Sequence, residues 1–364
     1  MISCYQYQIN NSSSSSSSNN NNNINSRIIG QQKHDRGVLC CCWDGSGSII
    51  FSGGCDNTVR MWNVNNNSNN NSSSNTSSSN TSSSSFTTLG NHNCPVKCIE
   101  YSSDFNILVS GSWDRTLIYW DIRSGQRISL INLPGKVFAS SLNGNILVIG
   151  LSNKYIQMYD LRNYKHHMLL EKTVLKHQLR TVDIFPDQKG YACSSIEGRT
   201  AIKHFDKYDQ KNDFSFKCHR HQRGNDKHSQ DVFAVNTLKF HKQFGTFATG
   251  GDDGQINIWD KEGRSRLKHF EQIKLPSAIN NNNNNNNINS TFTYNSSKVN
   301  NDYMPITTLD FNKNGTILGY ATSYNWNKGI SYYDQKQQTP QIYLHNVLQK
   351  EIDANWNKNN NNNR

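Results

Sequence analysis

The sequence predicts an all-β fold assembled from repeated blades, a β-propeller, and three observations carry that reading. The first is a recurring frame: a Gly-containing turn, an acidic or polar residue, and an aromatic six positions later. It runs SGGCDNTVRMW (Asp56 to Trp62), SGSWDRTLIYW (Asp114 to Trp120), IGLSNKYIQMY (Asn153 to Tyr159) and TGGDDGQINIWD (Asp253 to Trp259), with a weaker copy, SSIEGRTAIKHF, that sets Gly198 and His204 in the same places. The second is that His34 and His92 each lie 28 residues before the aromatic of their repeat, Trp62 and Trp120. The third is short period-two strands divided by turn residues, as antiparallel blades require. Self-similarity at this period is the WD-repeat signature of a propeller blade.

The elements follow in order. In the second clear repeat 96–101 (VKCIEY) reads as a strand, 102–106 as a turn, and 107–110 and 117–120 as the next two strands. Comparable units cover 38–64, 94–123, 136–162, 177–206, 232–261 and 305–334, which makes six clear repeats. Trp120 and Tyr159 are 39 residues apart, near the ~40–45 of such repeats. Trp62 and Trp120 are 58 apart and Trp259 and Tyr333 are 74 apart, because polar tracts intervene where exposed loops tolerate length. The segment 4–9 (CYQYQI) alternates like the last strand of an incomplete first blade, and 342–347 is placed to help close the ring. The expected layout is therefore a strand left from the first blade at 1–10 and a Ser/Asn tract at 11–26. A propeller at 27–347 follows, interrupted at 65–85 and 280–300, and then an Asn-rich tail at 348–364.

Hydrophobic residues make up only 34% of the 364, because 11–23, 65–85, 280–290 and 357–363 are almost entirely Asn, Ser and Thr. Such segments bury too little apolar surface to offset ordering entropy. The net charge of +11 is concentrated in two runs. Residues 199–228 hold eight Lys/Arg against four Asp, and 261–274 hold five against two acids. One such run reads as solvated surface; two in neighbouring repeats favour an anionic partner, nucleic acid or acidic peptide. Nine cysteines show no disulfide framework, and a reducing compartment is expected. Cys40, Cys41 and Cys42 alternate between strand faces and cannot share a metal. Cys218-His219-Arg220-His221 lacks a second Cys/His pair at finger spacing, so no metal and no cofactor are expected. No apolar run approaches a bilayer span and the N-terminus lacks a secretory pattern, so an intracellular, soluble protein is expected.

Asp56, Asp114 and Asp253 invite an acid/base reading, but a catalytic pair is singular whereas a turn aspartate recurs once per blade. With His34 and His92 they read as the structural polar network of the repeats, and Trp62, Trp120 and Trp259 as blade core. No phosphate loop, H-E-x-x-H or G-x-S-x-G occurs, so the expectation is a binding protein and not an enzyme.

Three places break the repeat: 216–220 (FKCHR), Phe240-His241 at a strand end, and 323–329 (SYNWNKG), an aromatic–basic segment in place of the usual turn. These stretches, with SSIEGR, LKHQLRTVDIF and DVFAVNTLKFH, resemble the nuclear-pore mRNA export factors of the Rae/Gle type, which are seven-bladed WD-repeat propellers. The resemblance covers roughly 37–347 outside the tracts. SSIEGR and FKCHR are shared with the sister mitotic-checkpoint propellers of the Bub type; SYNWNKG and LKHFEQ fit the export branch better. The largely missing first blade and the Asn tracts depart from the family pattern.

The resemblance implies a partner, the GLEBS segment of an FG-nucleoporin, with Arg220 and Lys328 pairing with acidic groups and Phe240 and Trp326 lining an apolar pocket. It also implies binding of RNA or messenger ribonucleoprotein through basic surface. The 261–274 run offers Arg264, Arg266 and Lys268 for that contact. Ubiquitin-related and mitotic-checkpoint proteins are further partners of such a scaffold; membrane insertion is not expected. The function expected is support of mRNA export at the nuclear envelope, with shuttling to the cytoplasm. The alternative is a checkpoint scaffold that brings GLEBS-bearing kinases to kinetochores. If the repeats and tracts divide as read, limited proteolysis cuts first within 65–85 and 280–300. Early cleavage inside 94–123 would count against these boundaries.

Overall fold

The computed structural model describes residues 2–9, 24–65, 86–222, 229–272, 303–326, 329–333 and 338–356. The central parts of the polar tracts lie outside the described residues. At the start, β1 (Ile2–Ile9) pairs antiparallel with β2 (Ile24–Gln32) in a two-stranded sheet, so the segment at 4–9 and the end of the first tract belong to one ribbon. Four-stranded meanders follow. The first is β3 (Val38–Trp43), β4 (Ile49–Gly54), β5 (Thr58–Asn63) and β6 (Phe86–Asn91). The second is β7 (Val96–Ser102), β8 (Ile107–Ser112), β9 (Thr116–Asp121) and β10 (Gln126–Asn132). The third is β11 (Val137–Asn143), β12 (Ile146–Leu151), β13 (Tyr155–Asp160) and β14 (His167–Lys172). The fourth is β15 (Leu179–Ile184), β16 (Gly190–Ser195), β17 (Arg199–His204) and β18 (Phe214–Lys217).

A short ribbon, β19 (Arg220–Gln222) with β20 (Gln230–Val232), precedes the fifth meander. That meander is β21 (Val235–Phe240), β22 (Phe247–Gly251), β23 (Ile256–Asp260) and β24 (Ser265–Phe270). The sixth sheet has three strands, β25 (Ile306–Phe311), β26 (Ile317–Thr322) and β27 (Gln341–Asn346). This is the six-bladed all-β propeller arrangement of WD repeats. The second strand of each of the first five sheets is buried almost throughout, as in Gly190–Ser195, and these strands read as continuous runs of apolar and small residues. The fourth strands β10 and β14 alternate towards solvent.

The chain divides into two compact units, Met1–Asn145 with Asp160–His166, and Ile146–Tyr159 with His167–Arg364. In the first unit, Phe51, Val96, Ile99, Leu108, Ile118 and Trp120 form the main core. In the second, Phe185, Ile202, Leu238, Phe240 and Phe247 form one cluster, and Ile256, Ile258, Ile306, Leu309, Leu318 and Ile352 another.

The glycine of the frame serves contact between blades. A Cβ on Gly53 would meet Val96 Cγ1 at 2.5 Å, one on Gly111 would meet Val137 Cγ1 at 2.9 Å, and one on Gly250 would meet Ile306 Cγ2 at 2.5 Å. Each of those β-branched residues opens the first strand of the next sheet and is fully buried. The turn itself is made by the residue after the acidic position: Asn57, Arg115, Lys154, Gly198 and Gly254 all have φ between +60° and +71°. Gly198 is thus the counterpart of Asn57 and not of Asp56. Glu197 takes the acidic place and accepts Lys176 N–H at 3.1 Å, as Asp56 accepts Asp35 N–H at 3.2 Å and Asp114 accepts Asn93 N–H at 2.9 Å. The weak copy is shifted by one residue from the sequence frame, and Lys203 rather than His204 stands in the aromatic position.

Behind these turns runs a hydrogen-bonded chain from tryptophan to aspartate. In the second blade the Trp120 indole donates to Ser110 Oγ at 2.8 Å, Ser110 donates to His92 Nε2 at 2.8 Å, and His92 Nδ1–H donates to Asp114 at 3.1 Å. In the fifth, the Trp259 indole donates to Thr249 at 2.9 Å, Thr249 to His219 Nε2 at 2.9 Å, and His219 Nδ1–H to Asp253 at 2.8 Å. In the first blade Ser52, His34 and Asp56 are joined at 2.8 and 2.9 Å, but the buried Trp62 indole N–H has no partner among the described residues. His219 was not legible as a network residue, because it lies 34 residues before Asp253 while the other two pairs are 22 apart. The β19–β20 ribbon supplies the extra length.

Two boundaries move. The third strand of the last sheet is Gln341–Asn346, which pairs with β26 from Ile317↔Asn346 to Thr322↔Gln341, and Ile330–Tyr332 form a short 3-10 helix instead of a strand. The strand expected to help close the ring is therefore an ordinary third blade strand. Packing also continues past 347: α1 (Gln349–Ile352) buries Ile352, whose carbonyl accepts from Thr246 Oγ1 at 2.9 Å.

Burial alone would raise the Asp253 pKa, but hydrogen bonds from His219 and then His221 outweigh it and hold the carboxyl at about 2. A folded pKa below the ordinary 3.8 stabilises the fold above about pH 4, and that stability is lost as pH falls towards 2. The contribution is roughly 2 kcal/mol at neutral pH. Urea unfolding between these limits should show it, and Asp253→Asn should flatten the dependence. Equal pH slopes in the two proteins would refute the assignment.

Candidate functional site

The second unit gathers most of the residues that break the repeat. β18 ends at Lys217, and the chain turns through buried Cys218 and His219 before Arg220 opens β19. His219 adopts φ +49°, held there by its bonds to Asp253 and Thr249. Arg220 reaches back over the Glu197–Gly198 turn, donating to the Glu197 carbonyl at 2.7 Å and the Gly198 carbonyl at 3.3 Å. It borders a cavity of about 290 Å³ whose wall also includes Lys217, His221, Asn257, Arg266 and His269. Among the described residues that wall holds no carboxylate. Asp253 lies behind it, fully buried, and accepts from His221 Nε2–H at 3.1 Å. That bond raises the His221 pKa against the opposing effect of burial, whereas burial and then the Arg266 charge lower that of His269.

The basic run on β24 does not form one patch. The register slips between Ile258 and Trp259, so Lys268 lies opposite Ile258 while Arg266 lies opposite Trp259. Arg266 faces the cavity and donates to Asn257 Oδ1 at 3.3 Å, an oxygen that also accepts from His269 Nδ1–H at 3.0 Å. Lys268 turns to Glu351 at 3.7 Å and over the Phe270 ring. Arg264, at φ +51°, lies over the Phe214 ring at 4.6 Å and lines a smaller cavity of about 50 Å³ with Lys261 and His204.

Trp326 is 55% exposed at φ +61°, and its ring packs on Tyr324 at 5.3 Å and Tyr333 at 4.9 Å. The segment is braced by Tyr324 Oη–H to the Gly329 carbonyl at 2.7 Å and by Asn325 Nδ2–H to Asp252 Oδ1 at 2.6 Å. Adjacent aspartates of one turn thus serve both features: Asp252 holds the aromatic platform and Asp253 the wall of the cavity. Lys328 lies outside the described residues. Phe240 does not line an open pocket. It is 6% exposed, its ring packs on Phe185 at 5.2 Å and Phe247 at 5.1 Å, and its N–H donates to Asp183 at 2.8 Å. Its place at the end of β21 puts the ring on the core face. Tyr324, Tyr333, Lys217, His221, Asn257 and His269 were given no binding role in the sequence, although Lys217 and His221 stood within FKCHR and Cys218-His219-Arg220-His221, His269 within LKHFEQ, Tyr324 within SYNWNKG, and Tyr333 as the aromatic of the last repeat.

The chain matches the family "WD domain, G-beta repeat" at residues 26–63, 83–121 and 217–260. It is 32% identical to Protein Rae1 of Drosophila melanogaster over 84% of this chain and 76% of that protein. It is 31% identical to the Poly(A)+ RNA export protein of Schizosaccharomyces pombe over 88% of this chain and 78% of that one. Among solved structures, a chain of the crystal structure of the mitotic checkpoint complex superposes with a TM-score of 0.56 over 85% of this chain and 76% of its own. At 14% identity that likeness shows the fold alone.

The placement of Phe240 and Trp326 is separable by experiment. Phe240→Ala should cost about 3–5 kcal/mol of unfolding free energy, as for a buried ring, and Trp326→Ala well under half of that. Denaturant unfolding measures both, and a Phe240→Ala variant as stable as the parent would remove Phe240 from the core.

Proposed function

We propose, from the premise that this chain belongs to the WD-repeat mRNA export factor family of the Rae/Gle type, that it is a non-enzymatic scaffold supporting export of mRNA from the nucleus. Its partners on this reading are a GLEBS-type segment of an FG-nucleoporin and RNA, and its place is the nuclear envelope with shuttling to the cytoplasm. The observation that carries the peptide half is the Trp326 platform. A large aromatic ring more than half exposed, yet braced by two neighbouring rings and two hydrogen bonds, loses little freedom when a partner covers it. Arg220 supplies a cation held in place by two backbone carbonyls, suited to an acidic group of the same segment. Lys328, in the same heptapeptide as Trp326, is a second cation for it. Phe240 acts behind this surface, by packing. The RNA half rests on the positive charge that Arg264, Arg266 and Lys268 carry at separate places on this unit.

Trp326→Ala should weaken binding of a GLEBS peptide by about 2 kcal/mol or more, and Arg220→Glu by ~2–5 kcal/mol. Titration calorimetry on the folded variants checks both. Undiminished affinity in the two together would sink the peptide assignment. A tagged chain should mark the nuclear rim in interphase, and kinetochore foci without a rim would favour the checkpoint alternative.

A further inference from the structure

The sixth sheet ends where its neighbours continue. In the five four-stranded sheets the third strand runs between the second and the fourth, and each of β5, β9, β13, β17 and β23 buries at least three residues. β27 holds the same third place, yet none of its residues is buried, and Ile342 is 66% exposed. The backbone N–H and C=O groups along such an edge are a template for one more strand. We propose that the edge of β27 pairs antiparallel with the same edge of a second copy of the chain, so that two three-stranded sheets become one continuous sheet.

The side chains favour a second copy as the occupant. Residues 338–349 contain no Lys, Arg, Asp or Glu, in a chain of net charge +11. RNA or an acidic segment therefore meets no cation of this stretch, whereas two copies can approach there without setting like charges face to face. The fourth strands that end other sheets do carry such charges: Arg127 on β10, Glu171 and Lys172 on β14, Arg266 and Lys268 on β24. Charged side chains on an edge discourage pairing with another chain, and β27 is built without them. His345 is turned to Glu351 at 2.9 Å and to the Phe270 ring at 4.9 Å, on the side of the fifth sheet.

Strand alternation fixes the register. Tyr343 stacks at 5.2 Å on Tyr320, its partner on β26, and shares a face with Gln341 and His345. Ile342 and Leu344 take the other face. Residues directly opposite in an antiparallel pair lie on one face, so the twofold axis passes through a residue and not between two. Centred on Tyr343, it sets Ile342 against Leu344 of the second copy and Gln341 against His345 of the second copy. Centred on Leu344, it would set Ile342 against an asparagine. The first register covers the exposed Ile342 with an apolar neighbour, and Pro340, which has no N–H, ends the pairing on one side. The contact is smaller than the ~1,200–2,000 Å² of a standard interface, so the association is reversible and depends on concentration.

Sedimentation velocity on the full chain, over a roughly hundredfold range of protein concentration, should show a monomer–dimer equilibrium. Amide exchange in 341–345 should slow as the dimer fills. Ile342→Lys, on an exposed residue, should weaken dimerisation at least ~tenfold and leave the melting temperature unchanged. Chains with Ile342→Lys should dimerise with chains carrying Leu344→Glu better than either variant does alone, because the register sets the new cation against the new carboxylate. A chain that stays monomeric throughout overturns the proposal. So does a dimer that Ile342→Lys leaves intact, which places the contact elsewhere, and so do mixtures that gain nothing. Slow exchange of 341–345 in a monomer overturns it as well and assigns the edge to a strand of the same chain.

Discussion

A fully buried carboxylate, that of Asp253, organises the fifth blade and the surface above it. It accepts hydrogen bonds from His219, His221 and the Gln255 backbone, and through His219 it is coupled to Thr249 and the Trp259 indole. A buried charge is costly unless paired and fully hydrogen-bonded, so the surrounding groups have little latitude. Fixing His221 fixes one wall of the basic cavity. Fixing the turn fixes Asp252, which braces Asn325 and with it the segment bearing Trp326. The cavity and the segment bearing Trp326 are both attached to this polar core.

The same design explains why blades tolerate divergent loops. Contact between neighbouring blades depends on small details, such as the absence of a Cβ at Gly53, Gly111 and Gly250 where Val96, Val137 and Ile306 press in. At the closest of these a methyl group would sit inside van der Waals distance, and a packed interior relaxes only by shifting its backbone. Length added between blades costs little free energy. Polar insertions therefore accumulate there while the strand frame persists.

Charge follows a different logic from packing. Arg264, Arg266 and Lys268 alternate in sequence as residues of one strand face would, yet they occupy three surroundings: an aromatic ring, a cavity and an ion pair. A single bulge at Leu267 separates the last two. Net charge and the density of basic runs bear on what kind of partner the chain attracts. Where a phosphate or carboxylate can be held is decided by side chains converging from separate strands.

The amino-acid sequence by itself determined the fold class and the six repeats, and its repeated spacings singled out His34, Asp56, His92, Trp120, Asp114, Asp253 and Trp259, which are joined in hydrogen-bonded networks within their blades. Those features rest on local periodicity and on spacings repeated within the chain, and both are visible in one dimension. It also pointed to SYNWNKG and FKCHR as departures from the frame. Tertiary structure alone decided that Phe240 is core, that His219 completes the fifth network across an inserted ribbon, and that the weak copy is read from Glu197. It alone moved the last strand to Gln341–Asn346 and joined Lys217 and Arg220 to Arg266. Each of these depends on which face a side chain takes after a bulge or a turn, or on residues some 50 positions apart meeting in space. A one-residue shift in register reverses the face of every later residue in a strand, and a linear pattern does not record where such shifts occur.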